Sequence, residues 1–154
     1  MNKQIKSRER VSNYGEVFTA PREVNAMLDL VKEECDRIDS RFLEPACGDG
    51  NFLVEILRRK LAAANIDSHS QNEYEEFSTK AVESIYGVDI QPDNVAAARE
   101  RLFELYTESY AWHCGVIARP DIRFKIRDIL NRNIVCGDFL TKTTSDGEPI
   151  WFLE

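Results

Sequence analysis

With 154 residues, 43% of them hydrophobic, the chain has the length and apolar content of one ordinary domain with a real core, so disorder is not the default reading. Its 27 acidic and 20 basic residues leave a net charge of −7, which argues against a freestanding nucleic-acid binder, because neutralising phosphates needs a basic face. Four cysteines without a Cys-x-x-Cys pair and two well-separated histidines, His69 and His113, give no support to a metal site, and no stretch resembles a signal peptide or approaches membrane-spanning length, so a reduced, cytoplasmic protein is expected.

Residues 1–20 read as an N-terminal arm in which Lys3, Lys6, Arg8 and Arg10 stand against Glu9 alone, most simply a solvated segment. Thr19-Ala20-Pro21 then opens a helix, with a hydroxyl in the cap region and proline in the first turn. Val24, Met27, Leu28, Val31 and Cys35 recur at helical spacing and carry it to about residues 36–39. Residues 41–46 form the first strand and 51–64 the next helix, with Leu53, Ile56, Leu57, Leu61 and Ala64 as its core stripe. The polar stretch 65–80 shows little apolar periodicity and is expected to be an inserted surface loop without chemistry, a helical continuation to Glu83 being left open.

Ser84-Ile85-Tyr86-Gly87-Val88-Asp89-Ile90 is a second strand, and Pro92 starts a helix bearing Val95, Ala98, Leu102, Leu105 and Tyr106. A short helix is expected from Pro120, then a third strand at Asn133-Ile134-Val135-Cys136-Gly137, a polar turn over 141–147 and an apolar end at Ile150-Trp151-Phe152-Leu153. Strands alternating with helices predict an α/β domain over residues 21–154, with a parallel sheet, right-handed crossovers and a ligand at the carboxyl ends of the strands.

Phe42-Leu43-Glu44-Pro45-Ala46-Cys47-Gly48-Asp49-Gly50-Asn51-Phe52 runs from strand through a Gly-x-Gly turn into a helix, the form of a cofactor loop. Gly48 and Gly50 tolerate positive φ and lack a Cβ, so the backbone can lie against an anionic group at the helix N-terminus. A dinucleotide fingerprint needs a third glycine where Leu53 stands, and a phosphate loop needs Lys then Ser or Thr where Asn51, Phe52 and Leu53 stand. The acidic Glu44 and Asp49 disfavour a polyphosphate and suit S-adenosylmethionine, whose methionine end carries an ammonium and a sulfonium as well as a carboxylate. Asp89, after the second strand, can accept both hydroxyls of a ribose, with Ile90 covering a purine face. Asp138, after the third, can accept from the adenine amine, and Phe139 can stack on or border the ring. Each acid alone is most simply a solvated turn residue; three successive strands ending in acids describe a nucleoside pocket without phosphates.

These residues resemble the adenine-specific DNA methyltransferases of restriction–modification systems, over nearly the whole chain. Gly15-Glu16-Val17-Phe18-Thr19-Ala20-Pro21 is similar to that family's Gly-x-Phe-Thr-Pro-Pro motif, with Ala20 in place of the first proline, and Glu44-Pro45-Ala46-Cys47-Gly48-Asp49-Gly50-Asn51-Phe52 to its Glu-Pro-Ala-Cys-Gly-x-Gly-x-Phe motif. Asp89 matches the acidic ribose ligand, and Gly137-Asp138-Phe139 the adenine-binding motif. The resemblance implies a Rossmann-like S-adenosylmethionine-dependent methyltransferase fold, incomplete here, with the first three strands of the parallel sheet and flanking helices. It implies S-adenosylmethionine as cofactor, held by Phe18, Thr19, Glu44, Ala46, Cys47, Gly48, Gly50, Asp89, Ile90, Asp138 and Phe139, with the Thr19 hydroxyl helping to hold the methionine carboxylate.

The family's Asn-Pro-Pro-Tyr or Asp-Pro-Pro-Tyr motif, which grips a base flipped out of the duplex, does not occur in these residues, so no catalytic residue is assigned and activity of this chain alone is not expected. DNA is the expected partner of the intact enzyme, together with a second polypeptide or a missing C-terminal half that completes the sheet beside the first strand. A non-catalytic scaffold or interaction subunit, and a methyltransferase part acting on RNA or protein, remain alternatives at this stage.

Overall fold

The computed structural model describes residues 7–10 and 18–154, so Lys3, Lys6 and the Gly15-Glu16-Val17 part of the N-terminal motif lie outside the described residues. Helix α1 (Pro21–Asp29) starts one residue later than its hydroxyl signal suggests. Ala20 is the cap and offers no side-chain acceptor; the Glu23 carboxylate instead takes the Ala20 N–H at 3.0 Å, and Pro21 fills the first position, where a missing N–H costs nothing. The single helix expected to reach 36–39 is broken at Leu30 and Val31, and a short α2 (Lys32–Asp36) follows. Val24, Leu28 and Cys35 are buried, whereas Met27 and Val31, expected on the same stripe, are exposed.

Strand β1 (Phe42–Glu44) leads into α3 (Asn51–Asp67), and α4 (Gln71–Glu83) precedes β2 (Ile85–Asp89). The expected loop over 65–80 is therefore mostly helix. Ser70 caps α4, its hydroxyl accepting the Glu73 N–H at 3.1 Å, and Tyr74, Ser78, Ala81 and Val82 turn one face inward. The second crossover repeats the helix pair, with α5 (Pro92–Cys114) and α6 (Pro120–Asn133) ahead of β3 (Ile134–Asp138). Within this layer α3 packs on α4 and α5, α5 on α6, and α4 on α6.

The sheet has the order β1-β2-β3-β4. Strands β1 to β3 are parallel, with Phe42 opposite Ile85 and Gly87 opposite Ile134, while β4 (Thr143–Thr144), inside the stretch expected to be a turn, pairs antiparallel to β3. Two parallel crossovers running the same way place their helices on one face of the sheet. Gly87 looks toward that face: a Cβ there would lie 2.8 Å from Leu53 Cδ1 and 3.1 Å from Cys47 Sγ. Tyr86, alternating, looks the other way, and the closing 3₁₀ turn Trp151–Leu153 folds onto it, the Tyr86 ring standing 5.9 Å from Trp151 and 5.0 Å from Phe152. Val88 and Ile150, both buried, belong to this second face and lie apart from the main core, which the helices share. The apolar end thus packs on its own sheet. Along the free side of β1 no strand pairs among the described residues, and Leu43 is 41% exposed.

Lys60 is buried in the core and turns its ammonium to the chain just ahead of β1, donating to the carbonyls of Arg37 and Ser40 at 2.6 Å and Ile38 at 3.1 Å. Burial pushes its pKa down to about 8. No helix among the described residues is long and apolar enough to cross a membrane.

Candidate functional site

At the carboxyl end of β1 the chain turns through Pro45 to Gly50 and enters α3. Pairing with β2 continues past the strand, the Cys47 N–H donating to the Val88 carbonyl at 2.8 Å. Gly48 has φ +55° and Gly50, the cap of α3, φ +93°, so both take the left-handed conformation that the Gly-x-Gly spacing predicts. The turn closes with the Gly50 N–H on the Cys47 carbonyl at 2.9 Å, and it presents the first N–H groups of a 17-residue helix to the carboxyl edge of the sheet.

Asp89 ends β2 beside this loop. Its Oδ2 accepts the Gly48 N–H at 2.9 Å, across a sequence separation of 41, and Oδ1 accepts from the Gln91 N–H at 2.9 Å and Asn94 Nδ2 at 3.1 Å. With 7% exposure it is a buried carboxylate kept in place by three donors. Ile90 follows at 53% exposure, an apolar surface beside the acid. One strand further, Asp138 Oδ1 accepts the Leu140 N–H at 2.8 Å, and Phe139 and Leu140 are exposed next to it. Phe18 and Thr19 stand half-buried ahead of α1, which packs against α3.

Electrostatics single out two residues of the loop. Glu44 has its pKa raised, chiefly by burial, against the pull of the Ala46 N–H. The Cys47 thiol, buried over Gly87, is pushed up to about 12 by burial and by the carboxylates of Asp89 and Glu44, so it is a neutral packing group at physiological pH and no nucleophile. Asp49 departs from expectation. Arg101, from α5, lies 3.4 Å from its Oδ1 and donates to its backbone carbonyl and to Asn51 Oδ1, both at 2.9 Å. Its charge is therefore balanced from behind, which weakens its part in disfavouring a polyphosphate.

Three contributors escaped the sequence reading. Gly87 leaves the room into which Cys47 and Leu53 pack, and a glycine inside a strand was a signal for such an approach. Asn94 and Arg101 sit on α5 among ordinary helix residues and carried no local sign of their partners. A cleft of about 160 Å³ between α1 and α3 is lined by Pro21, Val24, Asn25, Asn51, Val54, Glu55, Arg58 and Arg101, and so lies away from Asp89 and Asp138. No group of three or more His, Cys, Asp or Glu side chains among the described residues is placed to hold a metal ion.

The arrangement offers donors for an anion at the start of α3, acceptors for hydroxyl or amine at Asp89 and Asp138, and apolar walls at Ile90 and Phe139. The chain is 32% identical over 109 residues, 70% of its length, to the Type II methyltransferase M.VspI of Vibrio sp. (strain 343), and spans 20% of that relative's length. No family model and no solved structure matches it.

Proposed function

We propose that the carboxyl edge of this sheet is the S-adenosylmethionine site of a DNA methyltransferase, and that these residues are the N-terminal, donor-holding portion of an adenine-specific enzyme of a restriction–modification system. The observation that carries the reading is the bond from the Gly48 N–H to Asp89, which brings the glycine loop and the acid at the end of β2 into one site. In this reading the methionine carboxylate sits at the N-terminus of α3 with the Thr19 hydroxyl, and Glu44 faces the ammonium. Asp89 takes the ribose, and the adenine lies between Ile90 and Phe139 with its amine on Asp138. The similarity to a Type II methyltransferase supports the same class.

Transfer would move the sulfonium methyl in line to the exocyclic nitrogen of adenine, with loss of a proton from that nitrogen and release of S-adenosylhomocysteine. Alignment is what an enzyme contributes to such a step. The Asn-Pro-Pro-Tyr or Asp-Pro-Pro-Tyr residues that would align the acceptor are not among these 154. The free edge of β1 supports a partner that adds a strand there, from a second polypeptide or from further chain.

Isothermal titration of the purified chain with S-adenosylmethionine tests the reading. Saturable one-to-one binding is expected; a folded, monodisperse chain that takes up none overturns it.

A further inference from the structure

Asp89 accepts three hydrogen bonds from the protein itself. An ionised carboxylate offers about four acceptor positions, two on each oxygen. Oδ1 uses both of its own, on the Gln91 N–H at 2.9 Å and Asn94 Nδ2 at 3.1 Å, and Oδ2 uses one, on the Gly48 N–H at 2.9 Å. A single position is left, on Oδ2. To grip a vicinal diol with both oxygens, the carboxylate would need a free position on each.

The three donors differ in kind. Those of Gly48 and Gln91 are backbone groups, placed by the turn before α3 and by the cap of α5. The third is a side chain, that of Asn94, buried in the first turn of α5 at 3% exposure. Its amide fills the second acceptor position of Oδ1, the one the Gln91 N–H leaves open.

Resting on the donor-site reading above, we infer that Asp89 receives one ribose hydroxyl, on Oδ2, and that Asn94 is the positioning residue that keeps Oδ1 occupied and so sets which hydroxyl is read. The two hydroxyls of the cofactor's ribose are then unequal. Removing the one that Asp89 reads leaves a buried carboxylate position unfilled and costs affinity, whereas removing the other leaves the protein's own bonds intact.

The test is calorimetric titration with S-adenosylhomocysteine and with its 2′-deoxy and 3′-deoxy analogues, on the wild-type chain and on Asn94→Ala, with folding checked by circular dichroism. For the wild type, one deoxy analogue binds within about two-fold of the parent and the other at least about ten-fold more weakly, the effect of losing a hydrogen bond to a charged group. In Asn94→Ala the ratio between the two analogues falls to within about two-fold, because one acceptor position then opens on Oδ1 beside the one on Oδ2, while the Gln91 and Gly48 N–H groups still hold the carboxylate. A merely structural role for Asn94 would weaken all three ligands by one factor and leave that ratio unchanged. Equal losses for both analogues in the wild type, or an unchanged ratio in a folded Asn94→Ala, overturn the inference. The wild-type comparison stands by itself if the variant does not fold. Failure of the parent to bind a folded wild-type chain is a different result, and removes the donor-site reading together with this inference.

Discussion

At Gly48, where φ is +55°, a Cβ would meet no atom within 4 Å, whereas at Gly50, where φ is +93°, it would lie 3.1 Å from the Cβ of Ala98. Gly50 is thus favoured by conformation and by packing against α5, and Gly48 by conformation. Gly48→Ala is expected to cost about 1–2 kcal/mol, the left-handed penalty, and Gly50→Ala more than that, as read from chemical denaturation. On the proposed donor site, a folded Gly48→Val should bind no S-adenosylmethionine, and wild-type affinity in that variant would remove the loop from the site. Glu44 tests the electrostatics. Burial raises its pKa, so the folded protein holds this proton more tightly than the unfolded chain. Its contribution is fully present below the ordinary glutamate pKa and is lost as pH rises through the higher folded value. Glu44→Gln should therefore flatten the acid-side dependence of stability, make the free chain more stable at neutral pH, and weaken S-adenosylmethionine binding by loss of the partner for its ammonium. An unchanged affinity would exclude that contact. The two glycines and Glu44 were legible as a motif because the turn is local, whereas the Arg101 bonds to Asp49 and Asn51 span some fifty positions and left no local trace.

The helix α4 shows how an element escapes a reading by apolar period. Its inward face includes Ser78 and Thr79 beside Tyr74, and its polar groups are met by α5, with Ser78 Oγ 3.1 Å from the Tyr106 hydroxyl, and Gln71 donating to Tyr110 at 3.0 Å. The Tyr110 hydroxyl in turn donates to Glu75 at 2.5 Å. A search for hydrophobic spacing passes over such a face, because burial here is made tolerable by hydrogen bonds. One signal was present: Ser70-Gln71-Asn72-Glu73 has the spacing of a capping box, and the Glu73 carboxylate reaches back to the His69 N–H at 2.7 Å while its own N–H bonds Ser70. Ser70→Ala should cost about 1 kcal/mol in urea unfolding without altering cofactor affinity, since α4 packs on α3 and α6 rather than on the loop. A neutral substitution would show that tertiary contacts alone hold this end. The break between α1 and α2 was hidden for a related reason: Met27 and Val31 fit a helical stripe in sequence, but only Val24, Leu28 and Cys35 found a core to enter.

The sheet has two unequal faces, and among the described residues no strand pairs with the outer edge of β1. Four helices cover one face of the sheet, while the other is met by Ile150 and the Trp151–Leu153 turn, with Leu43 left exposed on the edge strand β1. Such an edge is a template for a further strand. The isolated chain is expected to self-associate reversibly as its concentration rises in light scattering, and Leu43→Lys, which places a charge on that edge, should keep it monomeric without loss of S-adenosylmethionine binding. A wild type that stays monomeric throughout, or association that survives Leu43→Lys, would argue that the edge needs no partner. The three parallel strands, the helix starts at Pro21, Asn51, Pro92 and Pro120 and the acids at three strand ends could be read from the residues alone, because hydrophobic period, Pro at helix starts and glycine turns act over a few neighbouring positions. The carboxylate that ties the loop to β2, the Arg101 clamp, the antiparallel β4 and the folding of the apolar end onto Tyr86 could not, because each joins segments far apart in the chain and depends on which face or edge the folded sheet leaves available.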